Sequence, residues 1–207
     1  MPARFKETRV PRFDDYLDEL QAYAGLQPRQ LISAWDAGIA RSAQNAIAQA
    51  IQSQNYIGWQ MPDFTGSNQS LGNKAAAAFL AKISPAFTNA FRIEMAPGKG
   101  YPDTILTIQG ERHFLEFKAT SDWNPNDGNR RVLTSSPLKM RSLIESGSVE
   151  DPPAHAVATV LYQSGGATVE GFRLDFLDPS SPMNIRLEAS TSHKLLAAGD
   201  HTSWQIP

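Results

Sequence analysis

Apolar residues recur at helical spacing from Arg12 to about Leu26, where Phe13, Leu17, Leu20 and Ala24 form one face. Gly25 and Pro28 end that helix. A longer helix is predicted from about Arg29 to Gln54, with Ile32, Trp35, Ile39, Ala43, Ile47 and Ile51 as its buried stripe. The stretch from Asn55 to Gln69 carries Gly58, Pro62, Gly66 and Asn68 and reads as loop. Ser70 or Asn73 then caps a short Ala-rich helix running to about Ile83, which Pro85 prevents from continuing.

Beyond this point the period shortens to two. Ala90 to Met95 alternates as a strand and is followed by a Gly- and Pro-rich loop from Ala96 to Pro102. Asp103 to Gln109 and Arg112 to Thr120 are two further strands, joined at Gly110-Glu111 as a hairpin. A polar loop from Ser121 to Leu133 leads to Ser136-Pro137, a cap and first-turn pair for a helix through about Ile144. Ala156 to Gln163, Ala167 to Phe176 and Asn184 to Glu188 read as strands, with a short helix beginning near Thr191. Helices followed by a mixed sheet with one inserted helix predict an α/β fold with a helical N-terminal part. The expected organisation is one domain: residues 1–69 helical, 70–165 the core, 166–207 the C-terminal strands and short helix.

Composition narrows the class. The chain has 207 residues, 41% hydrophobic and 19% charged, enough apolar material for a core. It contains no cysteine, which removes disulfides and thiolate metal sites and fits a reducing cytoplasm. Residues Met1 to Glu7 lack the apolar centre of a signal peptide, and the longest apolar run, Ala75 to Ala81, falls far short of the roughly 20 residues that span a bilayer. A cytoplasmic location without membrane partners is therefore expected. The net charge of −2 counts mildly against a nucleic-acid role, since non-specific binders are strongly basic. A local basic surface around an acidic site can still average to such a value.

The chemistry gathers on the hairpin. With Gly110-Glu111 as a two-residue turn, Gln109 pairs with Arg112 and Asp103 lies opposite Lys118, while Glu116 faces Ile105. Side chains alternate along a strand, so Glu116 and Lys118 share a face roughly 7 Å apart, and a directly opposed Asp103 joins them. Leu115, Phe117 and Ala119 lie on the other, apolar face. Two carboxylates together repel each other unless a cation lies between them, and carboxylate oxygens with a backbone carbonyl and waters are what magnesium takes.

Pro102-Asp103 followed on the next strand by Glu116-Phe117-Lys118 resembles the signature of the PD-(D/E)XK nuclease superfamily, whose best-known members are type II restriction endonucleases. The resemblance covers about Ser70 to Gln163. It implies a restriction-endonuclease-like mixed β-sheet flanked by helices. It also implies Asp103, Glu116 and Lys118 as the catalytic residues, with Asp103, Glu116 and the Phe117 carbonyl ligating Mg2+, for which Mn2+ substitutes, and with Lys118 assisting the attacking water. Many members carry a further acid on the helix before the first strand. Residues Gly72 to Ala78 contain none. Glu94 on the neighbouring strand is the candidate replacement, whereas Asp63 reads as a solvated loop acid.

Arg130, Arg131, Lys139 and Arg141 fall between Asp127 and Glu145 with no acid interposed. Arg130, Arg131 and Lys139 are candidate phosphate contacts, and Asn124 and Asn129 on the preceding loop are candidate contacts to base edges. For Arg141 a solvated helix face is an equal reading. Arg4, Lys6, Arg9 and Arg12 read as a loose terminus. Gly98-Lys99 is no phosphate-binding loop, because Ile93 stands five residues before Gly98 and Gly100 follows Lys99. The four histidines lack ligand spacing for zinc, and His113, on the apolar hairpin face, reads as a partly buried structural residue.

The leading expectation is a Mg2+-dependent endonuclease cutting double-stranded DNA as a homodimer, like a type II restriction endonuclease. A junction-resolving nuclease with the same centre, or a non-catalytic DNA-binding protein on the same fold, are the alternatives.

Overall fold

In the computed structural model, residues 12–65, 68–98, 100–122, 132–134, 137–181, 184–185, 194–196 and 202–206 are described. The elements are α1 (Phe13–Tyr23), α2 (Ala37–Ser53), α3 (Asn68–Ile83), a 3-10 turn (Ser84–Ala86), β1 (Phe91–Met95), β2 (Thr104–Ile108), β3 (Glu111–Thr120), β4 (Val132–Thr134), α4 (Pro137–Glu145), β5 (His155–Tyr162), β6 (Val169–Leu177), β7 (Asn184–Ile185), β8 (Lys194–Leu196) and β9 (Thr202–Ile206). Six strands form one mixed sheet in the order β1-β2-β3-β5-β6-β9, and β4-β8-β7 form a smaller one. The expected α/β class with a mixed sheet is what the chain adopts.

The pairing of β3 with β5 is parallel, whereas β1-β2, β2-β3, β5-β6 and β6-β9 are antiparallel. A parallel pair needs a crossover, and α4 lies in the one between β3 and β5. Both faces of the sheet are buried. On one, Leu106, Leu115, Phe117, Ala158 and Phe172 pack against α2 and α3, with the Phe79 ring 5.2 Å from both Phe117 and Phe172. On the other, Ile105, Phe114 and Val157 pack against Phe13, Leu17 and Leu20 of α1 and Met140, Leu143 and Ile144 of α4. Burial of this kind is worth roughly 25 cal/mol for each Å² of apolar surface removed from water.

Several expectations shift. The second helix starts at Ala37, not Arg29, because Asp36 caps it: its side chain accepts from the Gly38 N–H at 2.8 Å and the Ile39 N–H at 3.0 Å. Ile32 and Trp35, in phase with the α2 stripe, belong to an irregular segment instead. Ile32 enters the second core, and the Trp35 indole N–H donates to the His155 carbonyl at 2.7 Å. The first helix ends as expected at Gly25, whose φ of 70° supports a closing pair of bonds, Gly25 N–H to Ala22 O and Leu26 N–H to Gln21 O. At the C-terminus residues 194–196 are strand, where a helix from about Thr191 was expected, and β9 completes the sheet edge.

The largest consequence comes from the hairpin. Ile108 pairs with Glu111, so the turn residues are Gln109 (φ 53°) and Gly110 (φ 93°) rather than Gly110 and Glu111. A two-residue turn matching strand twist needs positive φ at both positions, and glycine suits the second. The register therefore differs by two residues from the expected one. Because side chains alternate with period two, a slip of two keeps every residue on its face. Thr104 pairs with Leu115, and one more step sets Asp103 opposite Glu116 rather than Lys118.

Candidate active site

The site is built where β2 begins. Thr104 is the first residue of that strand, and its hydroxyl donates to the Leu115 carbonyl at 2.7 Å, locking the start of β2 onto β3. Just before it, Asp103 and Glu116 hold each other through the backbone. The Asp103 N–H donates to Glu116 Oε2 at 3.1 Å, and the Phe117 N–H donates to Asp103 Oδ2 at 3.3 Å. Directly opposed residues have Cβ atoms roughly 5 Å apart, closer than the diagonal arrangement expected for this acid pair. Lys118 completes the group, with Nζ 2.7 Å from Glu116 Oε1. The three residues singled out by their spacing share one face and touch in sequence: Asp103 to Glu116, Glu116 to Lys118.

Burial makes the pair electrostatically costly. Glu116 is 4% exposed, and its carboxyl is pushed up to about 7, first by loss of water and then by the nearby Asp103, against the lowering pull of Lys118. Within a strand, a residue's N–H and C=O point to the same edge. The Phe117 N–H faces Asp103, so its carbonyl also points past the start of β2, where no ladder partner remains among the described residues. Two carboxylates and such a carbonyl form a hard-oxygen donor set. It suits magnesium, which uses one or two carboxylates and retains water. With no cysteine in the chain and, among the described residues, no histidine beside the pair, it does not suit zinc. Among the described residues no third acid joins the two.

Glu94 is drawn elsewhere. It lies on β1 opposite Ile105, one side-chain row back from Asp103, and pairs with Arg92 and, at 3.8 Å, with Arg112. Lys139 is also placed otherwise than as a simple phosphate contact. From α4 its ammonium donates to the carbonyls of Gly98, Gly100 and Pro102 at 3.1, 2.7 and 2.6 Å, fastening the loop that delivers Asp103. Burial lowers its pKa, while Asp103 and Glu116 raise it, so the ammonium stands within the field of both acids. Arg130, Arg131, Asn124 and Asn129 lie outside the described residues.

A second fastening escaped the motif. His155 Nε2 donates to the Leu31 carbonyl at 2.7 Å, so Nδ1 accepts from the Tyr101 hydroxyl two residues before Asp103. All of this is buried, and desolvation drives His155 down to about 3, keeping the ring neutral. His113 is the structural histidine that was expected: its Nδ1 accepts from the Ala154 N–H at 3.2 Å. No sequence pattern links Tyr101 to His155, which stand 54 positions apart.

Comparison with known proteins does not assign the chain: no family model, no curated protein and no solved structure matches it. Nor is any helix among the described residues long and apolar enough to cross a membrane.

Proposed function

We propose that the protein is a metal-dependent endonuclease hydrolysing DNA phosphodiester bonds, of the PD-(D/E)XK kind and resembling a type II restriction endonuclease with the corresponding fold. One observation carries this reading: Asp103 and Glu116, opposed across the β2–β3 ladder, share a partly buried site with Lys118 bonded to Glu116. A structural ion pair needs one acid for one base. Here a second acid stands beside the first at a cost in repulsion that Lys139, bonded to three loop carbonyls, relieves only in part, and a divalent cation would offset the rest.

Asp103, Glu116 and the Phe117 carbonyl would hold the ion, which when bound would lower the pKa of water and neutralise charge on the phosphoryl group. Lys118, held by Glu116 at the edge of the site, directs its ammonium at the attacking oxygen and the equatorial oxygens, where negative charge grows in the transition state. Lys139 and Tyr101 fix the loop from Gly98 to Pro102, so the Asp103 carboxylate meets the reaction already placed. Duplex DNA read by a homodimer, with Arg130, Arg131, Asn124 and Asn129 near the substrate, belongs to the same reading.

Incubation of the protein with a mixed-sequence plasmid tests it. Magnesium or manganese is expected to give discrete fragments, and calcium to support binding without cutting, because it activates water poorly. Smearing would favour cleavage without sequence preference. Intact plasmid in both activating metals would remove the enzymatic reading.

A further inference from the structure

The Glu116–Lys118 pair has a counterpart on the same sheet face two strands away. Register sets Glu116 opposite Val157 and Val157 opposite Asp175, forming one row across β3, β5 and β6. The next row is Lys118, Thr159 and Arg173. Directly opposed residues share a face, so both rows lie on the side that carries the acid pair. Arg173 Nε donates to Asp175 Oδ2 at 2.9 Å, as Lys118 Nζ donates to Glu116 Oε1 at 2.7 Å. In each pair the acid is almost wholly buried (side chains 5% exposed) and the base reaches outward, Lys118 at 17% and Arg173 at 24%. Each buried carboxylate thus aims a cation at the rim.

Between the two cations stands Thr159. Its residue is 1% exposed, and among the described residues its hydroxyl oxygen has no hydrogen-bond partner. An orphaned buried hydroxyl costs about 1–3 kcal/mol, and a valine of the same shape would avoid that cost. Within β5 its neighbours Ala156, Val157, Ala158 and Val160 are all apolar and buried, and they give no packing reason for a threonine at this one position. A hydroxyl flanked by Lys118 and Arg173 instead matches a tetrahedral oxyanion, which takes one donated bond and two charges.

The geometry points to a phosphate-binding subsite made by Lys118, Thr159 and Arg173, which holds the phosphodiester next to the one at the acid pair. The inference rests on the nuclease reading of Asp103, Glu116 and Lys118 and extends it across the sheet. Two strand spacings separate the Lys118 and Arg173 backbones by about 10 Å, and both side chains are long enough to converge from there on a neighbouring backbone phosphate. Asp175 is a positioning residue for Arg173, as Tyr101 is for the Asp103 loop. Phosphate contacts of this kind fix the strand's path and carry no sequence information.

The test is equilibrium binding of a short mixed-sequence DNA duplex in calcium, repeated over a range of salt concentrations. The neutral exchange Arg173→Gln with Asp175→Asn retains a hydrogen-bonding pair and avoids a stranded buried charge. It is expected to weaken binding about tenfold and to reduce the slope of log affinity against log salt by about one unit, the share of a single phosphate. Arg173→Lys restores most of the slope. Thr159→Val is expected to unfold at the wild-type temperature or higher and yet bind the duplex several-fold more weakly, a combination that a purely structural hydroxyl would not give. Manganese affinity stays at the wild-type value in each variant. Wild-type slope in the double variant, or wild-type DNA affinity in Thr159→Val, would overturn the subsite while leaving the nuclease reading intact. Failure of the wild-type protein to bind the duplex would overturn both.

Discussion

Replacing Asp103 or Lys118 by alanine is expected to lower the rate of DNA cleavage by about a thousandfold or more, with little loss of folded structure. The two positions act differently. Asp103 supplies a carboxylate to the proposed cation, and its side chain also accepts the Phe117 N–H at 3.3 Å. Its removal therefore loosens the metal site and the start of β2 together. Among the described residues, Lys118 hydrogen-bonds through its ammonium to Glu116 Oε1, at 2.7 Å. Lys118→Ala is expected to spare metal binding, to weaken DNA binding only by the share of one phosphate contact, and to depress kcat far more, the pattern of a group that acts chiefly in the transition state. Single-turnover cleavage in magnesium, with circular dichroism to verify folding, measures both. Near wild-type rates in either folded variant would remove that residue from the chemistry.

The second large effect concerns pH in the absence of metal. Glu116 has a carboxyl raised to about 7 by burial, above its ordinary value. Between those two values the folded state holds a proton that the unfolded state releases, so this group's contribution to stability falls as pH rises through the interval. His155 works in the opposite sense. Its value is lowered to about 3, so the unfolded state binds the extra proton and stability rises with pH up to the ordinary histidine range. The two offset each other in mildly acidic solution, and Glu116 dominates near neutrality. Glu116→Gln removes one side of this balance. In urea unfolding with EDTA present, the stability of Glu116→Gln relative to the wild type is expected to rise by roughly 2 kcal/mol between about pH 5 and about pH 8. A difference that does not change with pH would show that Glu116 ionises as freely as it does in water.

The site was legible in the chain because its signal is one of parity. Alternation along β3 places Glu116 and Lys118 on one face and Leu115 and Phe117 on the other, and no error of two residues in the hairpin can undo that. The register itself was harder to read. Gly110 fits either position of a short turn by composition, and only the left-handed backbone of Gln109 selects the pairing that brings Asp103 opposite Glu116. The start of α2 was misread for a related reason. Ile32 and Trp35 keep helical phase by coincidence, while the decisive feature is the Asp36 cap, which accepts from the Gly38 and Ile39 N–H groups.

The fastenings that place the acids were not legible at all. Lys139 reads in the sequence as a candidate phosphate contact, and its three carbonyl partners, on Gly98, Gly100 and Pro102, become visible only once α4 is in place beside them. Tyr101 and His155 meet through the packing of β5 against the segment near Leu31. The row of Lys118, Thr159 and Arg173 depends on a parallel pairing and an antiparallel one in succession, each with its own register. Such contacts are long-range products of topology, and residue periodicity carries no trace of them.

Manganese binding followed by electron paramagnetic resonance tests most directly whether Asp103 and Glu116 serve one cation. The wild-type protein is expected to bind the ion near neutral pH, and Asp103→Ala and Glu116→Gln each to weaken that binding by about tenfold or more, with the pair of substitutions together abolishing it. Manganese binding that persists at wild-type strength in the folded double variant would contradict the account.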